Sequence, residues 1–233
     1  MKIFRFFFLF LLSLTSVVGN AKEVKITLEV LQGFSPQAKL YLYNGSDVIL
    51  IDSSKQVSPG LYSFMLDSGY QQGVYRIDIG KNTSFDIVVS NEPLIDISTV
   101  VYAPEDSLKS DFSVENQIFW KYQSKKREKK QHSWLIQSLM DFYSEDEMFF
   151  HLLNKEHEKL NAELYSYAKK VSQEHDSLLV SKYIIIDQKP TSPSLLNADE
   201  ISNYLVDLWW DDVDLQDTRM IYAPFLQARL WGF

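Results

Sequence analysis

The sequence predicts an α+β protein: an N-terminal antiparallel β-sandwich over residues 22–102, followed by a helical region over 105–233 that contains a long αα-hairpin. Three observations predict it. Up to about Tyr102, apolar residues tend to fall at every second position, the period of a strand with one buried face. From Ser113 onward they fall three and four apart, the period of a helix with one buried stripe. Turn-forming residues punctuate the first part at short, regular intervals, as strands of a sandwich require.

The chain opens with MKIFRFFFLFLLSLTSVVGNAKE. Lys2 and Arg5 precede an apolar run from Phe6 to Leu14 that only Ser13 interrupts, and Gly19 and Ala21 are small residues at a cleavage site. This is the pattern of a secretory signal peptide over 1–21. Its apolar core is shorter than the roughly 20 residues that cross a bilayer. An exported protein is expected, periplasmic or associated with the outer membrane. Cleavage would leave 31 acidic side chains against 21 basic ones (23 less Lys2 and Arg5), a formal charge of −10 in place of −8. Such a balance disfavours nucleic acid and anionic lipid. The chain has no cysteine, so it forms no disulfide and performs no thiol chemistry of its own. Its stability must rest on packed apolar cores.

The strands follow in order. VKITLEV places Val24, Ile26, Leu28 and Val30 on one face. KLYLY alternates leucine and tyrosine. LYSFML sets Tyr62, Phe64 and Leu66 to one side, and VYRIDIG does the same with Tyr75, Ile77 and Ile79. DVILID is apolar without alternation, as a central strand would be, and SFDIVV and PLIDIS complete the set of seven. Asn44-Gly45, Ser58-Pro59-Gly60, Ser68-Gly69, Gly80-Lys81-Asn82 and Asn91-Glu92-Pro93 supply the turns. Asn44-Gly45 is the clearest hairpin, because Asn and Gly tolerate the positive φ of a tight primed turn. Asn44-Gly45-Ser46 and Asn82-Thr83-Ser84 also match a glycosylation sequon, but both read better as turns.

Helical stripes come next: Val114, Ile118 and Tyr122; then Trp134, Leu135, Leu139 and Phe142; then Phe149, Leu153, Leu160, Leu164, Tyr167 and Val171. They predict helices over 113–142 and 145–175. Ser113 is placed to cap the first, and Ser144 with Glu147 forms a capping box for the second. Shorter helices are predicted over 177–188, 199–209 and 219–231, with Pro190 and Pro193 separating the first two.

Candidate chemistry is sparse. The basic run KKREKK at 125–130 reads as a solvated stretch of helix rather than a site for an anionic partner. His132, His151, His157 and His175 form no pair on one helix face, so they read as surface residues and not as metal ligands. No Gly-x-Ser-x-Gly elbow and no glycine-rich phosphate loop occurs. No cofactor and no catalytic residue is expected. The segment LWWDDVDLQDTR gathers Trp209, Trp210, Asp211, Asp212, Asp214 and Asp217, which are the candidate partner-contact residues. Four aspartates could hold calcium through oxygen ligands. Counted from Asp212, however, the sixth and twelfth positions are Asp217 and Ala223, where an EF-hand loop needs Gly and Glu. The simpler expectation is that Asp217 caps the next helix while the two tryptophans anchor the turn.

Several stretches together resemble one family. AKLYLYNGSDVILIDSSKQVSPGLYSF and GVYRIDIGKNTSFDIVVSNEPLIDIST resemble the N-terminal strand-rich domain of unknown function in exported thioredoxin-like proteins of Bacteroidota. DSLKSDFSVENQIFWKYQ is similar to the start of that family's helical segment, where an S-x-E-N motif recurs; here it is Ser113, Glu115 and Asn116. WWDDVDLQDTRMIYAPFLQARLWGF is similar to the passage that leads into the thioredoxin domain, although Ala223 stands where the family often has Thr before the proline. The resemblance implies a Cys-x-x-Cys redox domain, yet without cysteine the family's redox residues have no positions here. The resulting expectation is a non-catalytic extracytoplasmic module that recognises or positions a protein partner in the cell envelope. A surface glycan- or ligand-binding protein using exposed aromatics is the alternative, and a carboxylate hydrolase is a third.

Overall fold

The structure is a computed structural model that describes residues 23–32, 35–80, 82–143, 146–188 and 209–232. The expected signal segment, the Ser144 cap and nearly all of the helix expected over 199–209 lie outside them. Seven strands precede the helices: β1 (Val24–Leu31), β2 (Gln37–Asn44), β3 (Asp47–Lys55), β4 (Leu61–Leu66), β5 (Gly73–Asp78), β6 (Ser84–Val89) and β7 (Leu94–Val100). They form two sheets, ordered β4-β1-β7 and β3-β2-β5-β6. The fold is α+β, with the strands N-terminal and the helices C-terminal.

The period-two pattern sorts the faces correctly. Val24, Ile26 and Leu28 are fully buried, as are Leu40, Ile77, Ile87 and Ile95 from the other strands. Two features depart from expectation. β1 pairs with β7 in parallel, so the three-stranded sheet is mixed and not purely antiparallel. Alternation is the same in both kinds of pair, and nothing local to β1 or β7 records the direction of the neighbour. The second departure is β3, which lies at a sheet edge and not at the centre. An apolar run shows only that both faces could be covered. Here neither is: Val48, Ile49, Leu50 and Ile51 are 41 to 54% exposed.

The β2–β3 turn sits one residue further along than Asn44-Gly45 implies. Asn44 still pairs with Asp47, and the two-residue loop is Gly45-Ser46, with Gly45 at φ 63°. A positive φ confined to the first loop residue is the arrangement that calls for glycine there.

The helices are α1 (Pro104–Ser107), α2 (Val114–Phe142), α3 (Glu147–Glu174), α4 (Leu179–Asp187) and α5 (Pro224–Trp231), with a 3-10 turn at Thr218–Tyr222 before α5. The helix expected over 219–231 is therefore two pieces, because Pro224 lacks the N–H that would continue the first. Ser113 caps α2 as expected, accepting from the Asn116 N–H at 3.3 Å. Asp146 caps α3, accepting from the Phe149 N–H at 3.0 Å. One apolar cluster runs from the strands through Phe119, Trp120 and Tyr122 of α2 to Tyr183 and Ile184 of α4 and on to Met220. Gly73 lets the 3-10 turn approach the sheet: a Cβ there would lie 2.5 Å from the Tyr222 Cβ and 2.8 Å from its carbonyl oxygen.

Candidate functional site

The Trp209–Asp217 corner is held together by charge. Asp217 accepts from the Arg219 backbone N–H at 3.1 Å, from Arg219 Nε at 2.8 Å and from Lys182 Nζ at 2.7 Å. Lys182 also donates to Asp214 at 2.9 Å, and Arg219 Nη1 reaches Gln72, just before β5, at 2.9 Å. The Asp217 carboxyl is held well below the usual carboxylate range, chiefly by its hydrogen bonds to Arg219. Asp217 thus caps the 3-10 turn, as its position in the sequence suggested. Among the described residues, no three His, Asp or Glu side chains gather where they could hold a metal ion. Two of the four aspartates already face Lys182 and Arg219.

The expected contact residues divide. Trp209 is buried, at 6% exposed, and the Asp217 side chain is 8% exposed. Neither offers a surface to a partner. Trp210 is half-buried, while Asp211, Asp212 and Asp214 are exposed. Behind the tryptophans lies Arg229, a buried cation that the sequence reading did not single out. Its guanidinium carbon sits 5.7 Å from the Trp209 ring and 5.6 Å from the Trp210 ring. Its N–H groups donate to the carbonyls of Trp209 (2.8 Å), Ile185 (3.1 Å), Ile186 (3.3 Å) and Gln188 (2.7 Å). Three of these carbonyls close the C-terminal end of α4. Burial pushes the Arg229 pKa down. The only hint in the sequence was an arginine set among apolar residues in FLQARLW.

The S-x-E-N motif is a structural joint. Ser113 donates its hydroxyl to Glu92. Asn116 accepts from the Val88 N–H and donates to the Val88 carbonyl, both at 2.8 Å, as a neighbouring strand would. Trp120 adds a bond from its indole N–H to the Asp86 carbonyl at 3.0 Å. The outer edge of β6 is thereby covered. Glu115 accepts from the N–H groups of Leu179 (3.0 Å) and Val180 (2.7 Å), which open α4. Burial pushes its pKa up, and these two donors offset only part of that.

The basic run is more engaged than a solvated stretch. Lys126 pairs with Asp187 at 2.6 Å, and Arg127 pairs with Asp106 at 2.8 Å and Glu105 at 3.3 Å. Lys125 stands 5.0 Å over the Tyr167 ring. These contacts tie α2 to α1, α3 and α4. His132 and His151 are exposed, and His157 and His175 half-exposed.

Aromatics that could stack on a sugar ring are scattered. No tryptophan occurs in a strand, and Tyr43, Tyr62 and Tyr75 are buried. Trp134 and Trp231 are exposed but belong to α2 and α5. A cavity of about 460 Å³ opens at one end of the sandwich, lined by Val30, Pro36, Tyr62, Ile79 and Tyr102 among others. The Tyr62 hydroxyl there is already used, donating to the Ser35 carbonyl at 2.5 Å and accepting from Gln56 at 3.1 Å.

The contrast between the two edges of the four-stranded sheet is the feature with chemical consequence. No protein-family model matches this chain, and no curated protein matches it significantly. β6 is sealed by Asn116 and Trp120. β3 at the opposite edge carries four consecutive exposed apolar residues. Starting from the closing pair Asn44–Asp47, alternation turns the backbone N–H and C=O of Val48 and Leu50 outward. No helix among the described residues is long and apolar enough to cross a membrane.

Proposed function

We propose that this chain is a non-catalytic, exported module that recognises or positions a protein partner. It would do so in the manner of the strand-rich region of the thioredoxin-like proteins it resembles. The outer edge of β3 receives an extended segment of that partner, which adds as a further strand. The observation that carries this reading is the exposure of Val48, Ile49, Leu50 and Ile51 beside outward-facing backbone groups. Strand addition uses both: main-chain hydrogen bonds supply affinity, and alternate side chains supply selection. Natural sheets blunt such edges with charge, proline or a covering element. This chain covers its β6 edge and leaves the Val48–Leu50 stretch of β3 open, up to the register break at Ile51.

The test is hydrogen exchange on the mature chain with unstructured peptides tiled across envelope proteins. Binding peptides should slow exchange at the Val48 and Leu50 amides. Val48→Pro deletes one outward N–H, and Leu50→Lys places a charge on the edge. Both should abolish binding and leave the far-ultraviolet circular dichroism unchanged. Peptides that bind both variants as tightly as the wild type, or protect only residues outside β3, would refute the proposal.

A further inference from the structure

We infer that the αα-hairpin is a self-association device, and that two copies of this chain pack tip over tip about a two-fold axis. The hairpin leaves the body of the protein early. On α2 the residues that meet the sheet, Asn116, Phe119 and Trp120, lie in the first two turns, and beyond Tyr122 only Ile136 is buried. A helix of 29 residues is about 43 Å long, so its outer turns stand clear of the sandwich. Ile136 and Leu153 form the seam between α2 and α3 at this end.

Beside that seam lies a second, largely exposed apolar stripe, whose Phe142 ring meets Tyr143 edge-on at 4.9 Å. Leu135, Leu139 and Phe142 repeat at i, i+4 and i+7 on α2, and Met148 and Leu152 at i and i+4 on α3. Turned about their antiparallel axes, both sets fall to the same side of the hairpin, roughly a quarter-turn from the seam. Their exposures run from 40% for Leu139 to 79% for Phe142.

The area selects the occupant. An aromatic side chain offers about 150 to 250 Å² and an aliphatic one somewhat less, so this stripe exposes roughly 600 Å² of apolar surface. Each partner in a stable complex contributes about 800 Å². Homodimer interfaces are about two-thirds apolar, so roughly 500 Å² of each partner's face must be apolar, which this stripe supplies. The pattern is also self-complementary: a ridge of residues four apart packs into the groove of an identical ridge. A lipid surface fits less well. Asp141, Asp146 and Glu147 surround the tip, whereas helices that lie on membranes carry Lys and Arg there. The inference is independent of the β3 edge. It adds that two edges would be presented together, and linked edges bind a repeated partner with avidity.

Sedimentation equilibrium of the mature chain tests it. A reversible dimer is expected, and Leu139→Glu with Phe142→Asp should weaken it by at least about a hundredfold. Phe142→Leu should keep the dimer, and all variants should keep the wild-type circular dichroism. Because the natural chain has no cysteine, Leu139→Cys near the axis should form an intermolecular disulfide, while Ser172→Cys at the far end of α3 should not. A wild type that stays monomeric into the millimolar range would overturn the inference. So would a dimer that survives the charged variant, or a tip that binds anionic vesicles in place of a second copy.

Discussion

Two carboxyl side chains, Asp217 and Glu115, show how one functional group takes opposite roles. Asp217 is ionised between Lys182 and Arg219, and its pKa is lowered. A lowered carboxyl contributes stability that is present above its unfolded value, about 3.9, and lost as pH falls through the folded value. Asp217→Asn should therefore cost about 1–2 kcal/mol at neutral pH, and the difference from wild type should shrink below about pH 4. Glu115 is buried, and its pKa is raised. A raised carboxyl contributes most below its unfolded value, about 4.3, and loses that contribution as pH rises through the folded value. Glu115→Gln should then be less costly at pH 7 than at pH 4. Urea unfolding of both variants across this range checks the two signs in one series. Slopes of the same sign would show that one assignment is wrong.

At the scale of elements, α4 is the keystone. It has nine residues, six of them buried, and a helix that short is marginal by propensity alone. Its N-terminal N–H groups meet the carboxylate of Glu115, and its C-terminal carbonyls meet the guanidinium of Arg229. Each charge sits at the end of the dipole that favours it and satisfies groups the helix cannot satisfy internally. Arg229→Met should cost about 3 kcal/mol, because four carbonyls lose their donor together, and it should loosen the α4 end first. Hydrogen exchange that accelerates at Ile185–Gln188 before it does in the sheet would match this account. Uniform acceleration would not. Asn116 does similar work for β6: its amide imitates a strand and closes an edge that would otherwise resemble β3.

For the molecule as a whole, the continuous apolar cluster matters more than the change from strands to helices near Tyr102. Phe119, Trp120 and Tyr183 belong to the same cluster as Leu28 and Ile77. The chain should accordingly unfold in one cooperative transition, with calorimetric and van't Hoff enthalpies equal. Two separated transitions would mean that sandwich and helices are independent units. A chain ending at residue 102 should lose cooperativity, since the β6 edge and the sheet surface beneath α2 would be bared together.

Local chemistry was enough to read the strand count, the buried face of most strands, the long hairpin and the capping roles of Ser113 and Asp217. Each depends on residues within a few positions of one another, through side-chain period or a cap reaching two or three residues ahead. The direction of β7, the edge position of β3 and the burial of Arg229 and Glu115 were not legible in the same way. An apolar run looks the same whether or not another layer covers it, and a charged residue looks the same whether water or helix ends surround it. Those outcomes were set by contacts between residues far apart in the chain, such as Glu115 with Val180 and Arg229 with Ile185, which exist only once the layers have packed.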